Sequence, residues 1–459
     1  MPLLNDTHVV LPTSMGQWLI DQPDSVLSSL LRQRALFQTE YTFPVPKMAS
    51  KTYHVQVIKT DLTRKLNTLT QDVWEGLADG FEASWGNDTK NWKTVNVFQT
   101  MTQIVTRTSN RVFVGKEYST WANLSLILLC HSPNITYCTG GNETYLKLCT
   151  SFAHDIPLSS IAIKQWPRFL RPLVGPILSL PNRYHNYKIQ EILRPEILRR
   201  LQYSDDATDA PNDFLQWYIS YARDSLETEE LLPEILSARI ATMNFAAVHT
   251  STFTSVNAIY DIVSSPMKDS ITSWITTEFE DILATADGNL AKVNVQKMAC
   301  TDSILRESLR FSSGSTGALH RVVATKNGVT TPDGLHIKQG NVISIPAWPV
   351  HRDPEIYQDP DSFMPLRFLR SSVNDKEKNH EPKTRSTNTV DTSLTFLSFG
   401  HGKHGCPGRF FAAQEMKLLL AYMMTYYDIE PLETRPEPIS FGSFMTPNPR
   451  VSIRVRRKE

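Results

Sequence analysis

The residues best equipped for chemistry lie near the end of the 459-residue chain, in Phe399-Gly400-His401-Gly402-Lys403-His404-Gly405-Cys406-Pro407-Gly408-Arg409-Phe410-Phe411-Ala412. A glycine-rich loop delivers one cysteine, and an apolar face at helical spacing (Leu418, Leu419, Met423) comes after it. Pro407 fits the first helical position, where a missing N–H costs nothing. Cys406 then falls at a helix N-terminus, whose free N–H groups and dipole stabilise a thiolate. Gly402, Gly405 and Gly408 leave room beside it for something flat and large. Such a set suits an axial sulfur ligand to haem iron, with backbone donors tuning the sulfur. Three plainer readings fit the same residues. One is an inert core thiol, and another is a redox or nucleophilic cysteine. The third is a zinc site on His401, His404 and Cys406, which lacks a fourth ligand nearby.

A second set lies in the longest candidate helix, Leu231 to Ile262, with Pro233 near its start and Pro266 just past its end. It is apolar on more than one face, as a helix through a protein's centre must be. Its middle reads Ala246-Ala247-Val248-His249-Thr250-Ser251. Small residues let a flat group and a diatomic gas approach the backbone. Thr250 and His249 add a hydroxyl and an imidazole, and an ordinary His pKa of ~6.5 suits proton relay near neutrality. The plain alternative is a threonine bonded back to its own helix and a satisfied core histidine.

A third set is Glu307 and Arg310, one helical turn apart. Glu-x-x-Arg alone is uninformative, since Glu191/Arg194 and Glu196/Arg199 match it and read as solvated helix pairs. Glu307 is set apart by the elements downstream of it in the chain. His320-Arg321-Val322-Val323 begins a strand, a hairpin runs from Gly334 to Ile345, and Phe363-Met364-Pro365-Leu366-Arg367-Phe368 comes next.

Together these elements resemble the cytochrome P-450 monooxygenases. The spacing of Phe399, Gly402, His404, Cys406 and Gly408 is similar to that family's haem-binding signature, with His404 where an arginine is usual. The resemblance implies a mainly α fold with a small β region (α+β). Residues 1–459 would then form one catalytic domain, with haem b between the long helix and the helix after Cys406. Cys406 becomes the metal ligand. Phe399, Gly402, Lys403, His404, Gly408 and Arg321 become cofactor-binding residues, Arg321 and Lys403 for the propionates. Glu307, Arg310 and Arg367 become a buried latch, and Thr250 and His249 the catalytic pair, His249 standing where the family has an acid. The usual Trp-x-x-x-Arg is missing, which leaves Lys59 and Arg64 as candidates for a propionate contact.

The implied activity is oxidation of a small apolar substrate with O2, using electrons from NADPH through a reductase. That reductase would dock on the cysteine side, facing Lys403, Arg409 and Lys417. The form Ala-Ala-Val-His-Thr-Ser looks like fungal members that oxidise diterpenes, indole diterpenes and related alkaloids. Two other readings remain: a haem-thiolate isomerase or dehydratase needing no reductase, and a non-enzymatic remnant.

Composition sets the bounds. Lys+Arg and Asp+Glu are both 47, so net charge is zero and nothing points to nucleic acid. The five cysteines are sparse and unpaired in spacing, as expected of reduced thiols. No apolar run reaches the ~20 residues of a spanning helix. The family's anchor and proline-rich hinge are absent from the chain as written, which reads as N-terminally shortened. The family sits on the cytosolic face of the endoplasmic reticulum; this chain reads as cytoplasmic or peripheral, with membrane association left to apolar surface.

Several elements must position these residues. Residues 14–35 read as a helix capped by Asp24 or Ser25, and Val9-Val10-Leu11-Pro12 as a strand and turn. Tyr53 to Ile58 alternates like a strand, with a helix through Leu62, Leu66 and Leu69 after it. Residues 119–142 lack Asp, Glu, Lys and Arg in a chain that is 20% charged. The segment 116–142 therefore reads as an insertion foreign to the fold or a gene-model artefact, or else as a membrane-touching loop. Prolines 157, 167, 172, 176, 181 and 195 punctuate short helices, and Ser371 to Ser393 reads as a flexible surface loop.

Overall fold

The computed structural model describes residues 8–45, 51–119, 141–204, 207–369 and 388–459. Most of the expected 116–142 insertion, and residues 371–387 of the expected loop, lie outside them. The molecule is helical around one central helix, Pro233–Val263, with Pro233 in its first turn. This helix is buried along most of its length because others pack round it, among them Val97–Val114, Gly141–Lys164, Leu180–Arg200, Ala299–Phe311 and the cysteine helix, Arg409–Tyr426. Val105, Ile240, Val256, Ile259, Leu419 and Met423 share its core at near-zero exposure.

A second, smaller core lies under a four-stranded sheet and includes Leu19, Leu27, Val323, Ile343 and Leu397. The strand order is His8–Val10, Val342–Pro346, Gly317–Val323, Leu27–Ser28, and only the first pair is parallel. The ladder between Gly317–Val323 and Val342–Pro346 slips between Ala318 and Arg321, where Leu319 takes φ 55°. Such a bulge re-aims the side chains after it. Here those are His320 and Arg321, which lie in the middle of the strand and do not begin it.

The structure corrects several expectations. Residues 14–35 are not one helix. Pro23 breaks the pattern, and a turn and the two-residue strand Leu27–Ser28 separate Gly16–Asp21 from Ser29–Phe37. Ser28 is the cap, its hydroxyl accepting from the Leu31 N–H at 3.1 Å; Asp24 is free for another task. Tyr53–Val57 is helix, continuing into a π turn at Ile58–Leu62. No strand lies beside this segment among the described residues, and Val57, Ile58 and Leu62 are the positions buried. The hairpin joins Val329–Thr330 to His336–Ile337, while Val342–Pro346 belongs to the four-stranded sheet.

Pro157, Pro176 and Pro195 sit inside helices they were expected to punctuate. Glu196 is not solvated: it is buried, holding Arg199 at 2.6 Å and Arg200 at 2.7 Å. Glu191 pairs with Lys188 and Arg194 with Glu234, rather than with each other. The end of the expected flexible loop is pinned, since buried Thr389 donates both its N–H and hydroxyl to Asp302.

Candidate haem and oxygen site

The cysteine loop is shaped by its own backbone. The Cys406 N–H donates to the Phe399 carbonyl at 2.8 Å, and the Gly405 N–H to that of Gly402 at 3.0 Å. Gly402 has φ 72°, and a Cβ there would stand 2.4 Å from Ile20, so only glycine fits. At Gly408 an added Cβ would meet nothing within 4 Å. The helix starts at Arg409 with Gly408 as its cap, so Pro407 lies outside it. The Cys406 sulfur faces the backbone N–H groups of Gly408 and Arg409. Burial pushes its thiol up, and those donors with the Arg409 guanidinium pull the other way.

Beside this loop is a cavity of about 220 Å³ lined by Ser29, Arg32, Gln33, His320, Arg321 and His404, among others. Arg321 is buried at 4% exposure; one terminal nitrogen donates to the His320 carbonyl, and the other has no partner. A buried guanidinium with an unmet donor is costly without an anion. His404 is held by Asp24 (2.7 Å) and Ser29 (3.2 Å), which keeps the ring at the cavity edge. Lys403 bonds the Gln22 carbonyl at 3.2 Å and is not among the lining residues. Lys59 and Arg64 are exposed.

Across the site, Ala246 and Thr250 are exposed in the middle of a helix that is otherwise largely buried. The Thr250 hydroxyl donates to the Ala246 carbonyl at 2.8 Å. His249 points elsewhere. Its ring meets His154 edge to face at 4.4 Å between centroids, and neither nitrogen has a partner of normal hydrogen-bond geometry. Burial holds its pKa down at about 4, His154 adds to the depression, and the Ala153 carbonyl opposes it.

Glu307 is fully buried and binds two guanidinium groups. Arg310 makes a two-pronged contact at 2.8 Å on each oxygen, and Arg367 adds a bond at 3.0 Å. Arg310 also donates to the carbonyls of His351, Pro360 and Ser362, tying the helix Ala299–Phe311 to the segment before the cysteine loop. Lys417, expected to face a partner protein, is instead buried against Asp302 at 2.9 Å. Its position falls on the inner face of a helix packed on several sides. Arg409 is half-buried, donating to the carbonyls of Val390 and Cys406.

These residues fit haem b: a sulfur under backbone donors, an open flank at Gly408, two small-residue positions bare in mid-helix, and an unmet buried cation for a carboxylate. Sequence reasoning gave no role at the site to Asp24, Arg32, Gln33, His320 or Glu415. Glu415 alone left a signal, a carboxylate inside the apolar run Ala412 to Met424.

The comparisons agree. The family model Cytochrome P450 matches residues 51–455, and the chain belongs to that family. Cytochrome P450 monooxygenase 151 of Postia placenta is 33% identical over 459 residues, covering 98% of this chain and 84% of that protein. Monooxygenase gloP of Glarea lozoyensis is 30% identical over 474 residues, with 98% and 82% covered. Monooxygenase pbrC of Penicillium brasilianum is 29% identical over 472 residues, with 100% and 83% covered. A solved structure titled retinoic acid bound cyanobacterial CYP120A1 shares the fold at TM-score 0.66 and 16% identity, over 98% of this chain and 88% of that one. The chain is a haem-dependent monooxygenase of this family and resembles its fungal secondary-metabolism members.

Proposed function

We propose that the chain oxidises an apolar secondary metabolite, a terpenoid, indole diterpene or alkaloid, with electrons from NADPH delivered by a reductase. Haem b bound on Cys406 supplies dioxygen activation and transfer of one oxygen atom. Arg321 pairs with a haem carboxylate, and His404, fixed by Asp24, donates or accepts beside it. Thr250 presents its hydroxyl at the bare stretch of the central helix, where a proton is needed, and His249 lies one residue away as a neutral imidazole. The observation carrying the substrate reading is the aromatic wall just before that stretch. Phe245 packs edge-on to Phe37 at 5.0 Å and to Phe43 at 5.8 Å, a surface offering shape and apolar contact with no charge.

Membrane association is supported by Trp166, Phe169, Leu173, Ile177 and Leu180, all exposed. Between Asp155 and Glu191 the chain carries Lys164, Arg168, Arg171, Arg183 and Lys188 and no acid. Among the described residues no helix is long and apolar enough to cross a membrane.

The test is spectral. CO on the reduced protein should give the red-shifted Soret band of thiolate ligation, and its absence would favour the remnant reading. A screen of diterpenes and indole diterpenes should shift the ferric spectrum, and turnover should require reductase. Turnover without reductase would move the reading to rearrangement or dehydration.

A further inference from the structure

Phe245, His249 and Phe253 of the central helix are four residues apart, hence on one face, and each meets a ring from elsewhere in the chain. Phe245 meets Phe37 and Phe43, at 5.0 and 5.8 Å between centroids. His249 meets His154 of the helix Gly141–Lys164 at 4.4 Å. Phe253 meets Phe98 of the helix Val97–Val114 at 5.8 Å and lies 6.0 Å from the His249 ring. These rings form a row beside the bare positions Ala246 and Thr250. Phenylalanine supplies all of them except the two imidazoles in the middle. His249 offers a ligand nothing polar, because both its nitrogens are covered. His154 differs: it is exposed, and no hydrogen bond among the described residues engages either of its nitrogens. Its neighbour Asp155 is turned to another helix, where it bonds His185 at 2.5 Å.

We propose that His154 is a specificity-determining residue, whose free imidazole edge binds a hydroxyl or carbonyl oxygen of the substrate and so fixes the apolar skeleton against the phenylalanine rings. This rests on the reading of an apolar substrate oxidised beside Thr250, and narrows it to one that already carries an oxygen function. Desolvation against its neighbours lowers the His154 pKa, with Asp155 pulling the other way, so the ring is uncharged at neutral pH. It then has one donor and one acceptor. A hydroxyl can use either, and a carbonyl the donor. One polar point in an apolar wall selects a single orientation from the several that phenylalanines alone would hold. A bare hydrocarbon leaves that point unpaired, so a reaction that puts oxygen on the skeleton must supply this substrate.

Two measurements on the haem-loaded chain test this, and neither needs turnover. The first finds which way the imidazole faces. Diethyl pyrocarbonate should modify His154 in the resting protein, read by mass mapping. Once clotrimazole, an apolar azole whose binding to the iron is followed in the Soret band, fills the pocket, modification should slow about three- to tenfold. Equal modification with and without the azole, or none in either state, would overturn the inference. The second titrates the ferric spectrum with ferruginol and abietatriene, a diterpene with a hydroxyl and the hydrocarbon of the same skeleton. The wild type should bind ferruginol about three- to tenfold more tightly. His154→Phe should lose that preference, and His154→Asn, which keeps a hydrogen-bonding group, should retain part of it. A preference unchanged in His154→Phe, or none in the wild type, absence of binding included, would also overturn it. Loss of the red-shifted CO band would instead sink the haem reading beneath it.

Discussion

His154 and His249 come from two different helices and meet ring to ring, 4.4 Å between centroids. The turn that carries His154 also brings the Ala153 carbonyl to His249, and that carbonyl is free for a local reason. In a helix it would accept the N–H of residue 157, which is proline. A proline inside a helix costs roughly 3 kcal/mol, and what the cost obtains here is a bare acceptor facing an imidazole. Replacing Pro157 by Ala should therefore raise the unfolding midpoint while lowering product formed per electron pair consumed. A stabilised variant with unchanged coupling would show that the freed carbonyl does nothing for His249.

The latch gives a second expectation. Arg310→Ala should destabilise the chain by about 3–5 kcal/mol, because Glu307 stays buried with half its partners gone. The loss exceeds that of an exposed pair such as Arg194–Glu234, worth about 0–1 kcal/mol. Denaturant midpoints of Arg310→Ala and Arg194→Ala, measured side by side, decide it.

These two sites show what the sequence carried. Glu307, Arg310, Arg367 and the cysteine loop were legible because their chemistry is tied to local spacing and motif order. The central helix was legible because an apolar pattern bounded by two prolines has few other solutions. The strand expected at Tyr53–Ile58 failed because alternation over six residues is satisfied equally by a helix whose burial is set by distant elements. Arg239 of the central helix reaches both the Lys51 carbonyl and the His54 ring, a contact no local pattern announces. Asp24 was read as a cap and instead holds His404, 380 residues away in sequence. Pairings at that separation leave no trace in one sequence.

Acid should unfold the protein from below neutrality. His351 is buried, its Nε2 accepting from the Leu397 N–H at 2.9 Å, and burial with three nearby arginines lowers its pKa to about 3. The folded pKa lies below the unfolded value of ~6.5, so the unfolded chain binds the extra proton and stability rises with pH. The contribution is complete above that unfolded value and drains away as pH falls from it toward about 3. His54, held at about 4 by burial and Arg239, adds to the same limb. His351→Gln, which keeps an acceptor for Leu397 but takes no proton, should flatten the acid limb of a stability-against-pH curve.

Arg321 offers a test in which two signs must oppose. Without a bound anion its guanidinium is buried with one nitrogen unmet, and burial pushes its pKa down. Asp24, the acid that acts on it, is already bonded to His404. Replacing Arg321 by Met removes a buried polar group that costs about 1–3 kcal/mol when unsatisfied, so the haem-free chain should become more stable. With haem bound, the same change deletes a charge-assisted bond to a propionate, worth about 1.5–3 kcal/mol, so haem should be lost faster to a competing acceptor protein. If Arg321 were a structural cation, the haem-free chain would be destabilised rather than stabilised. Unfolding of the haem-free chain and the rate of haem transfer, measured on one variant, separate the two cases.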